Sequence, residues 1–392
     1  MTPVVNARHK YRERPVGDGE VASPRVGAGA AVEFRPPCPH YPRCVGCPFI
    51  DVPYPEQLER KRGLLAEALA AYPALKDVSV PALIPSPRRL GYRARVKLVA
   101  RRSRNDIALG LYVPESHRVV DISSCPVHPR AVNVALHYLK RKISELGIAA
   151  YDERDDSGDL RYVDCRYSFA RREVSITLVS RHPSLPQGER LARALRRKFS
   201  FITGVIQNIN ETHGNVIWGD RYVTLAGRDS LLEEVGGFKL VFPAGVFSQA
   251  NPSSAAKLYE QVAGYAGLTG KERVMDLYCG VGPISFYLAA KAGWIWGIDE
   301  SGAAIAAAKQ NARRNGVSNC RFVAGDVALA TADVKKQSGG IDLIVLNPPR
   351  KGVQAPALAA VLGLNAPRLI YVSCEPTSLA RDLDRLRASS YR

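Results

Sequence analysis

One cysteine near the end of the chain stands where a nucleophile could act. Cys374 closely follows the apolar run of residues 369–372. If that run is a buried strand, the thiol lies at its carboxyl end, where open α/β sheets present side chains to a ligand crevice. A thiolate is a covalent nucleophile, and its addition to carbon 6 of a pyrimidine would let carbon 5 attack a sulfonium methyl group. A small buried core cysteine is the alternative, and the strand-end position favours the nucleophile.

A glycine turn earlier in the chain indicates a nucleotide-like cofactor. Residues 274–282 read VMDLYCGVG, an apolar strand with Asp276 followed by a turn that opens a helix. Such a turn lets the backbone approach a ligand and offers free N–H groups. Asp299 ends the next strand, where a carboxylate can accept hydrogen bonds from a ribose diol. The third glycine of a dinucleotide fingerprint is absent, which favours S-adenosylmethionine. A turn made only for packing is the alternative.

The segment NPPRK, residues 347–351, follows another apolar run. Asn347 would therefore point into the same crevice. Asparagine and two prolines also occur in methyltransferases that act on amino groups, but those usually continue with an aromatic residue. Here Arg350 and Lys351 follow, and a pair of cations suits a phosphate or a nucleic-acid backbone. An amino-group methyltransferase stays the rival enzyme class.

Four cysteines have the spacing of a cofactor site. Cys38, Cys44 and Cys47 lie in one proline-flanked loop, and Cys125 lies in another. Four thiolates can hold a [4Fe-4S] cluster or a tetrahedral zinc ion. The spacing is not the paired CxxC of a zinc ribbon, which favours an iron–sulfur cluster with a structural or RNA-holding role. The other three cysteines, apart from Cys374, are interpreted as packing residues.

A basic run occupies residues 88–104, which contain no acidic residue. Alternate positions on a strand share a face, so Arg93, Arg95 and Lys97 are predicted to form a stripe that follows phosphates. A solvated surface with surplus charge is the alternative.

The elements that must position these residues fall into two patterns. Residues 83–235 read mainly as short strands interrupted by two helices, after a helix at residues 55–72. Beyond Phe242, five apolar strands alternate with helices, which predicts an α/β fold with a doubly wound parallel sheet. The predicted division is a disordered basic tail at residues 1–34, a cysteine loop, helix and β-rich RNA-binding domain at 35–235, and a cofactor-binding domain at 236–392.

Composition narrows the class of protein. The net charge of +18 and the isoelectric point near 9.7 favour a polyanionic partner. The sequence has no run of 18 apolar residues and no apolar segment of a secretory signal, so we expect a cytoplasmic protein without a membrane span. A monomer is expected.

From about residue 36 onward the sequence resembles the uracil-C5 RNA methyltransferase family. The segments that carry the resemblance are Cx5CxxC with a fourth cysteine, FSQANP, DLYCGVG, GID, NPPRKG and YVSC. The resemblance implies a class I (Rossmann-like) methyltransferase domain with an N-terminal/central iron–sulfur α+β domain. It also implies S-adenosylmethionine-dependent formation of 5-methyluridine in RNA through a covalent Cys374 adduct.

The resemblance extends to individual cofactor contacts. They fall on Gln249, Tyr278, Asp299 and Asn347, with Asp326 near the adenine; other members usually have phenylalanine, glutamate and often aspartate at the second, third and fourth of these positions. The NPPR form and the short N-terminus, without room for a TRAM domain, resemble the 23S ribosomal RNA branch.

One departure from the family concerns the C-terminus. Members end with a strand hairpin whose glutamate removes the carbon 5 proton, and this sequence stops at Arg392 without that segment. We therefore expect a C-terminally truncated chain that lacks the last strands. A non-catalytic iron–sulfur RNA-binding protein is the second rival, distinguished by binding RNA without S-adenosylmethionine.

Overall fold

The computed structural model describes residues 34–103, 106–214, 216–389 and 391. The predicted basic tail, apart from Phe34, lies outside these residues. Residues Pro36–Arg392 form one compact unit. No helix in the described ranges is long and apolar enough to cross a membrane.

The first half of this unit is built on a mixed sheet. Its seven strands are β1 (Arg95–Ser103), β2 (Asp106–Tyr112), β3 (Val119–Asp121), β4 (Leu160–Ser168), β5 (Glu173–Ser180), β6 (Ile202–Ile209) and β7 (Arg221–Gly227). They are ordered β3-β2-β1-β4-β5-β6-β7, and only β5 and β6 pair in parallel. Three helices accompany them: α1 (Tyr54–Ala70), α2 (Arg130–Glu145) and α3 (Gly188–Lys198).

One face of this sheet is packed against helices α2 and α3. Val96, Leu98 and Ala100 alternate along β1 and are buried in one cluster with Leu139 of α2 and Leu195 of α3. The period of two therefore leaves Arg95 and Lys97 on the opposite face, as the sequence pattern predicts.

A two-stranded hairpin joins the two halves. Strands β8 (Ser230–Val235) and β9 (Phe238–Pro243) pair antiparallel around the turn Gly236-Gly237. The predicted domain boundary at 235/236 thus falls inside a hairpin rather than in a linker.

The second half is a three-layer α/β structure, with a parallel sheet between two layers of helices. Its strands are β10 (Arg273–Leu277), β11 (Trp294–Asp299), β12 (Cys320–Ala324), β13 (Leu343–Leu346) and β14 (Arg368–Tyr371). They are all parallel and ordered β12-β11-β10-β13-β14. The helices that accompany them are α4 (Pro252–Ala266), α5 (Pro283–Ala289), α6 (Gly302–Arg314), α7 (Val327–Ser338), α8 (Ala355–Gly363) and α9 (Pro376–Arg387). Separate apolar clusters cover the two faces of the sheet, so its strands read as continuous apolar runs.

Two element boundaries have local causes. Helix α3 begins at Gly188, because Pro186 disfavours the helical conformation of the residue before it. Strand β1 begins at Arg95. The N–H groups of Arg93 and Ala94 bond the carbonyls of Val127 and Ala250 instead of a neighbouring strand.

Candidate active site

The predicted site residues of the second half lie at one edge of the parallel sheet. Tyr278 follows β10, Asp299 ends β11, Asp326 follows β12, Asn347 follows β13 and Cys374 follows β14. Since the strands are parallel, these positions share the carboxyl edge, where ligands bind in open α/β sheets.

The turn after β10 has an unusual backbone. Tyr278, Gly280 and Gly282 have φ angles of 62°, 57° and 90°, in the left-handed region. A Cβ at Gly282 would lie 2.8 Å from Cζ of Phe286, so glycine is required there for both conformation and space. For a non-glycine residue such as Tyr278, the left-handed conformation is unfavourable and is typical of functional sites.

This turn forms one wall of a cleft. The cleft is open to solvent, and its lining combines apolar and aromatic side chains with a few polar groups, as is typical of ligand pockets. Three of the predicted cofactor residues line it: Gln249, Tyr278 and Asn347. A Cβ at Gly280, which also lines the cleft, would meet no atom within 4 Å. The turn therefore leaves room for a ligand against its backbone, and the residues fit the nucleoside–amino-acid shape of S-adenosylmethionine.

The loop that carries Gln249 is held by the first half of the unit. Ala94 donates its N–H to the carbonyl of Ala250 at 2.7 Å, and Arg95 Nη1 donates to the carbonyl of Val246 at 3.4 Å. Tyr259 also lines the cleft, and burial raises its pKa. The loop that carries Gln249 is thus held at the cleft by contacts from the first half of the unit.

The two acidic residues predicted to bind the cofactor do not line this cleft. Asp299 accepts the N–H of Gly280 at 2.8 Å and the N–H of Ser301 at 2.9 Å. Each carboxylate oxygen keeps acceptor capacity for a hydroxyl group. Asp326 caps α7 by accepting the N–H of Leu329 at 3.0 Å. Burial first, then the negative charges of Glu300 and Asp326, raise the pKa of Tyr278 to about 12.

A buried carboxyl group lies directly behind the glycine turn. Asp276 is fully buried, and its Oδ2 accepts the hydroxyl of Ser285 at 2.6 Å. Its Oδ1 has no hydrogen-bond partner among the described residues. Burial raises the pKa of Asp276 to about 7.

The predicted nucleophile is accessible. Cys374 is exposed and lies just beyond the cleft, in the turn after β14. Glu375 Oε2 forms an ion pair with Arg350 at 3.0 Å, which joins this turn to the one that contains Asn347. The N–H of Val372 donates to the carbonyl of Leu346 at 2.7 Å, which is a second contact between these two parts of the chain. The turn that carries Cys374 is therefore joined to the turn that carries Asn347.

The four cysteines of the proposed cluster line a separate cavity. His40 accepts the N–H of Ser124 at 3.4 Å and so joins the two cysteine loops. Burial first, then Cys125, raises the pKa of Cys47 to about 11, with smaller effects from Cys44 and Cys38. Among the described residues, no three His, Cys, Asp or Glu side chains are grouped so that they could hold a metal ion. The donor set therefore fits a four-thiolate site by residue type but is not arranged in a ligating geometry.

The side chains of the predicted basic stripe, Arg93, Arg95 and Lys97, differ in their contacts and exposure. Arg95 forms an ion pair with the buried Asp164 at 3.1 Å and lies 5.6 Å from the ring of Trp218. Its contact with phosphates stays a prediction. Arg93 precedes β1, and its Nε donates to the carbonyl of Arg95 at 3.2 Å. Lys97 is exposed. Lys97 and part of the Arg93 side chain are therefore the accessible members of the predicted stripe. Arg95 connects the two halves of the unit.

Sequence reasoning missed a buried asparagine that fixes the glycine turn. Asn311 of α6 is fully buried, accepts the N–H of Val241 at 2.8 Å, and donates to the carbonyls of Val241 and Val281 at 3.3 and 3.2 Å. Four residues later, Asn315 bonds the N–H and the carbonyl of Lys239 at 2.9 Å each. Four residues of helix rise about 6 Å and two residues of strand about 6.6 Å. The side-chain amides of Asn311 and Asn315 are therefore spaced like Val241 and Lys239 along β9. The sequence feature that could have revealed these asparagines is a polar residue on an otherwise apolar face of a helix.

The parallel sheet, the glycine turn and the strand-end residues define a class I, Rossmann-like methyltransferase fold that uses S-adenosylmethionine. A methyltransferase-domain family matches residues 268–387. An uncharacterized RNA methyltransferase of Geobacter sulfurreducens is 38% identical over 357 residues, which is 91% of this chain and 72% of that protein. One of Gloeobacter violaceus is 34% identical over 388 residues, covering 99% of this chain and 83% of that protein. The chain belongs to this family of RNA methyltransferases.

A solved structure extends the likeness over both halves of the unit. The tRNA (uracil-54, C5)-methyltransferase of Pyrococcus abyssi, in complex with S-adenosyl-L-homocysteine, superimposes with a TM-score of 0.70 at 26% identity. The match covers 90% of this chain and 81% of that chain.

Proposed function

We propose that this RNA methyltransferase acts on carbon 5 of a uridine and that Cys374 is its nucleophile. The observation that carries the proposal is an exposed cysteine in the turn after β14, which is joined to the turn that carries Asn347, a residue of the cleft. The likeness to a tRNA uracil-C5 methyltransferase supports the same reaction. A methyltransferase for amino groups needs no thiol at this place.

The need for a thiol follows from the chemistry of the base. Carbon 5 of uracil is a poor nucleophile, and addition of the Cys374 thiolate to carbon 6 makes it enolate-like. S-adenosylmethionine supplies an electrophilic methyl group on a sulfonium centre. Carbon 5 forms a bond to that methyl group as the methyl–sulfur bond breaks. A base then removes the carbon 5 proton, and the bond between carbon 6 and Sγ breaks to restore the double bond and the thiolate.

The remaining predicted residues have positioning roles in this proposal. Gln249, Tyr278 and Asn347 contact the cofactor inside the cleft, and Asp299 accepts a ribose hydroxyl beside the turn. Asp326 lies near the adenine. Holding the reactants within reach is a large part of catalysis, because it replaces a bimolecular encounter.

We also propose that Cys38, Cys44, Cys47 and Cys125 hold a [4Fe-4S] cluster. The support is that all four line one cavity and belong to loops joined through His40. With four thiolates every iron is coordinated, so the cluster would cross-link the two loops beside Arg93 and take no part in methyl transfer.

The proposed substrate is 23S ribosomal RNA, bound to a monomeric, cytoplasmic protein. The support is the resemblance of the NPPR segment to that branch and the net charge of +18. Transfer RNA is the rival substrate, since the solved relative acts on it.

The proposal is tested by nucleoside analysis of RNA methylated in vitro. Wild-type protein, Cys374→Ala and Cys320→Ala are incubated with 23S fragments or with tRNA transcripts. Cys320 is the matched control because it begins β12 and lies at the opposite edge of the same sheet. We expect methylated 23S RNA from the wild type and from Cys320→Ala, released as 5-methyluridine where a base removes the carbon 5 proton and retained as a covalent protein–RNA adduct where none does, and neither product from Cys374→Ala.

Each alternative function predicts a different result. A methylated amino group that persists in Cys374→Ala would identify an amino-group methyltransferase. RNA binding without cofactor binding would identify a non-catalytic iron–sulfur RNA-binding protein. Methylation of tRNA alone would keep the reaction and refute the ribosomal substrate.

A further inference from the structure

One cationic side chain of the cleft has a donor that the fold does not use. Arg166 of β4 lines the cleft and is only 4% exposed. Its Nε donates to Asp164 Oδ2 at 3.1 Å, and its Nη1 donates to the carbonyl of Pro243 at 3.0 Å. The remaining nitrogen, Nη2, is buried without a hydrogen-bond partner among the described residues. An unsatisfied buried donor on a charged group is costly, so this arm favours a ligand with an acceptor.

The acids around Arg166 do not satisfy this arm. Asp164 is shared between Arg166 and Arg95, both at 3.1 Å. Glu233 also lines the cleft, but its oxygens accept the N–H groups of Phe169 and Ala170 at 2.8 and 3.0 Å. No ion pair joins Glu233 to Arg166 in the part of the chain that the structure describes. The guanidinium is therefore held in place by Nε and Nη1, and its Nη2 has no acceptor among the described residues.

The position of this arm decides between the possible acceptors. A nearly buried guanidinium cannot reach the phosphates of a bulky RNA strand, but it can meet a small group that enters the cleft. Arg166 is also the only cation among the described residues that line the cleft. Of the two ends of the cofactor, the methionine end carries a carboxylate, which binds guanidinium groups strongly.

We propose that Arg166 binds the α-carboxylate of the methionine part of the cofactor through Nη2. This inference rests on the proposed use of the cleft for S-adenosylmethionine. The residue is then a binding residue supplied by the first half of the unit to a cofactor site in the second. Asp164 and the carbonyl of Pro243 are the contacts that orient it.

The test compares two ligands that differ only in this carboxylate. Calorimetry measures the binding of S-adenosylhomocysteine and of its decarboxylated analogue to the wild-type protein, Arg166→Gln and Arg166→Lys. Because a hydrogen bond to a charged group contributes to the binding free energy, the wild type should bind the ligand with the carboxylate about tenfold to a hundredfold more tightly than the analogue. Arg166→Gln should reduce that preference to about threefold or less while binding the analogue unchanged. Arg166→Lys should keep an intermediate preference.

A matched control separates this role from a structural one. Arg161, also on β4 and 5% exposed, donates only to the backbone carbonyls of Asn210, Thr212 and Gly214. Arg161→Gln should therefore keep the full preference for the carboxylate. If Arg166→Gln weakens both ligands equally, or neither, the inference is wrong while the cofactor site stands. If the wild type binds neither ligand, the proposed function itself is refuted.

Discussion

Replacing Asn311 with alanine should destabilise the fold far more than the same change at Asn315. Both asparagines lie on α6 and bond the edge of β9, but Asn311 is fully buried and Lys239, the partner of Asn315, is exposed. Asn311→Ala leaves the N–H and carbonyl of Val241 and the carbonyl of Val281 without this partner. At about 1–3 kcal/mol for each unsatisfied buried group, and with some relaxation, we expect a loss of about 3–5 kcal/mol.

Asn315→Ala is the control for the loss of an asparagine from the same helix. Water can replace its bonds to Lys239, so the expected loss in the free energy of unfolding is about 1 kcal/mol or less. Urea denaturation followed by circular dichroism measures both values. Because Asn311 also holds Val281 of the glycine turn, Asn311→Ala should weaken S-adenosylhomocysteine binding, and Asn315→Ala should not. Equal destabilisation by the two variants would refute the argument that burial determines the cost.

Four further outcomes are expected. Anaerobically purified protein should contain about four irons with a broad absorbance near 400 nm, and Cys125→Ser should lose both; stoichiometric zinc without iron would exclude the cluster. Lys97→Ala should lower the salt dependence of RNA binding by roughly 0.7 if it contacts a phosphate of single-stranded RNA. Arg95→Ala should instead lower the thermal midpoint, since it leaves the buried Asp164 with one partner fewer; an unchanged midpoint would contradict this role. The pKa of Asp276 is raised above its ordinary value, to about 7, so the folded state holds the proton more tightly than the unfolded state. Its contribution to stability is present below about pH 4 and is lost as the pH rises to about 7, so the stability of Asp276→Asn relative to the wild type should increase between about pH 4 and 7 and level off above. A constant difference across that range would show that Asp276 does not titrate there.

The apolar periodicity predicted the parallel half of the fold almost completely. Five short apolar runs became β10 to β14, because a sheet covered on both faces needs continuous apolar strands. The strand-end positions of Tyr278, Asn347 and Cys374 followed from that pattern. The bounds of β7 could not be predicted, since this strand is largely exposed and lacks a clear apolar alternation.

The parts of the site that depend on long-range contacts could not be predicted. Arg95 belongs to a basic run in the sequence, but its partner Asp164 is 69 residues away. Arg166 enters the cleft from the other half of the unit, and nothing in its neighbours marks it as a ligand-binding residue. Local spacing reports which side chains share a face, whereas ion pairs between distant strands depend on the finished fold.

Covalent trapping of the substrate tests the central claim most directly. RNA in which the target uridine is replaced by 5-fluorouridine can accept the Cys374 thiolate and the methyl group, but fluorine cannot leave carbon 5 as a proton does. Incubation with S-adenosylmethionine should therefore give a stable protein–RNA adduct on a denaturing gel, joined through Cys374 by peptide mass analysis. The adduct should persist in Cys320→Ala and be absent in Cys374→Ala. Methyl transfer to uridine by Cys374→Ala, or an adduct at another residue, would contradict the account.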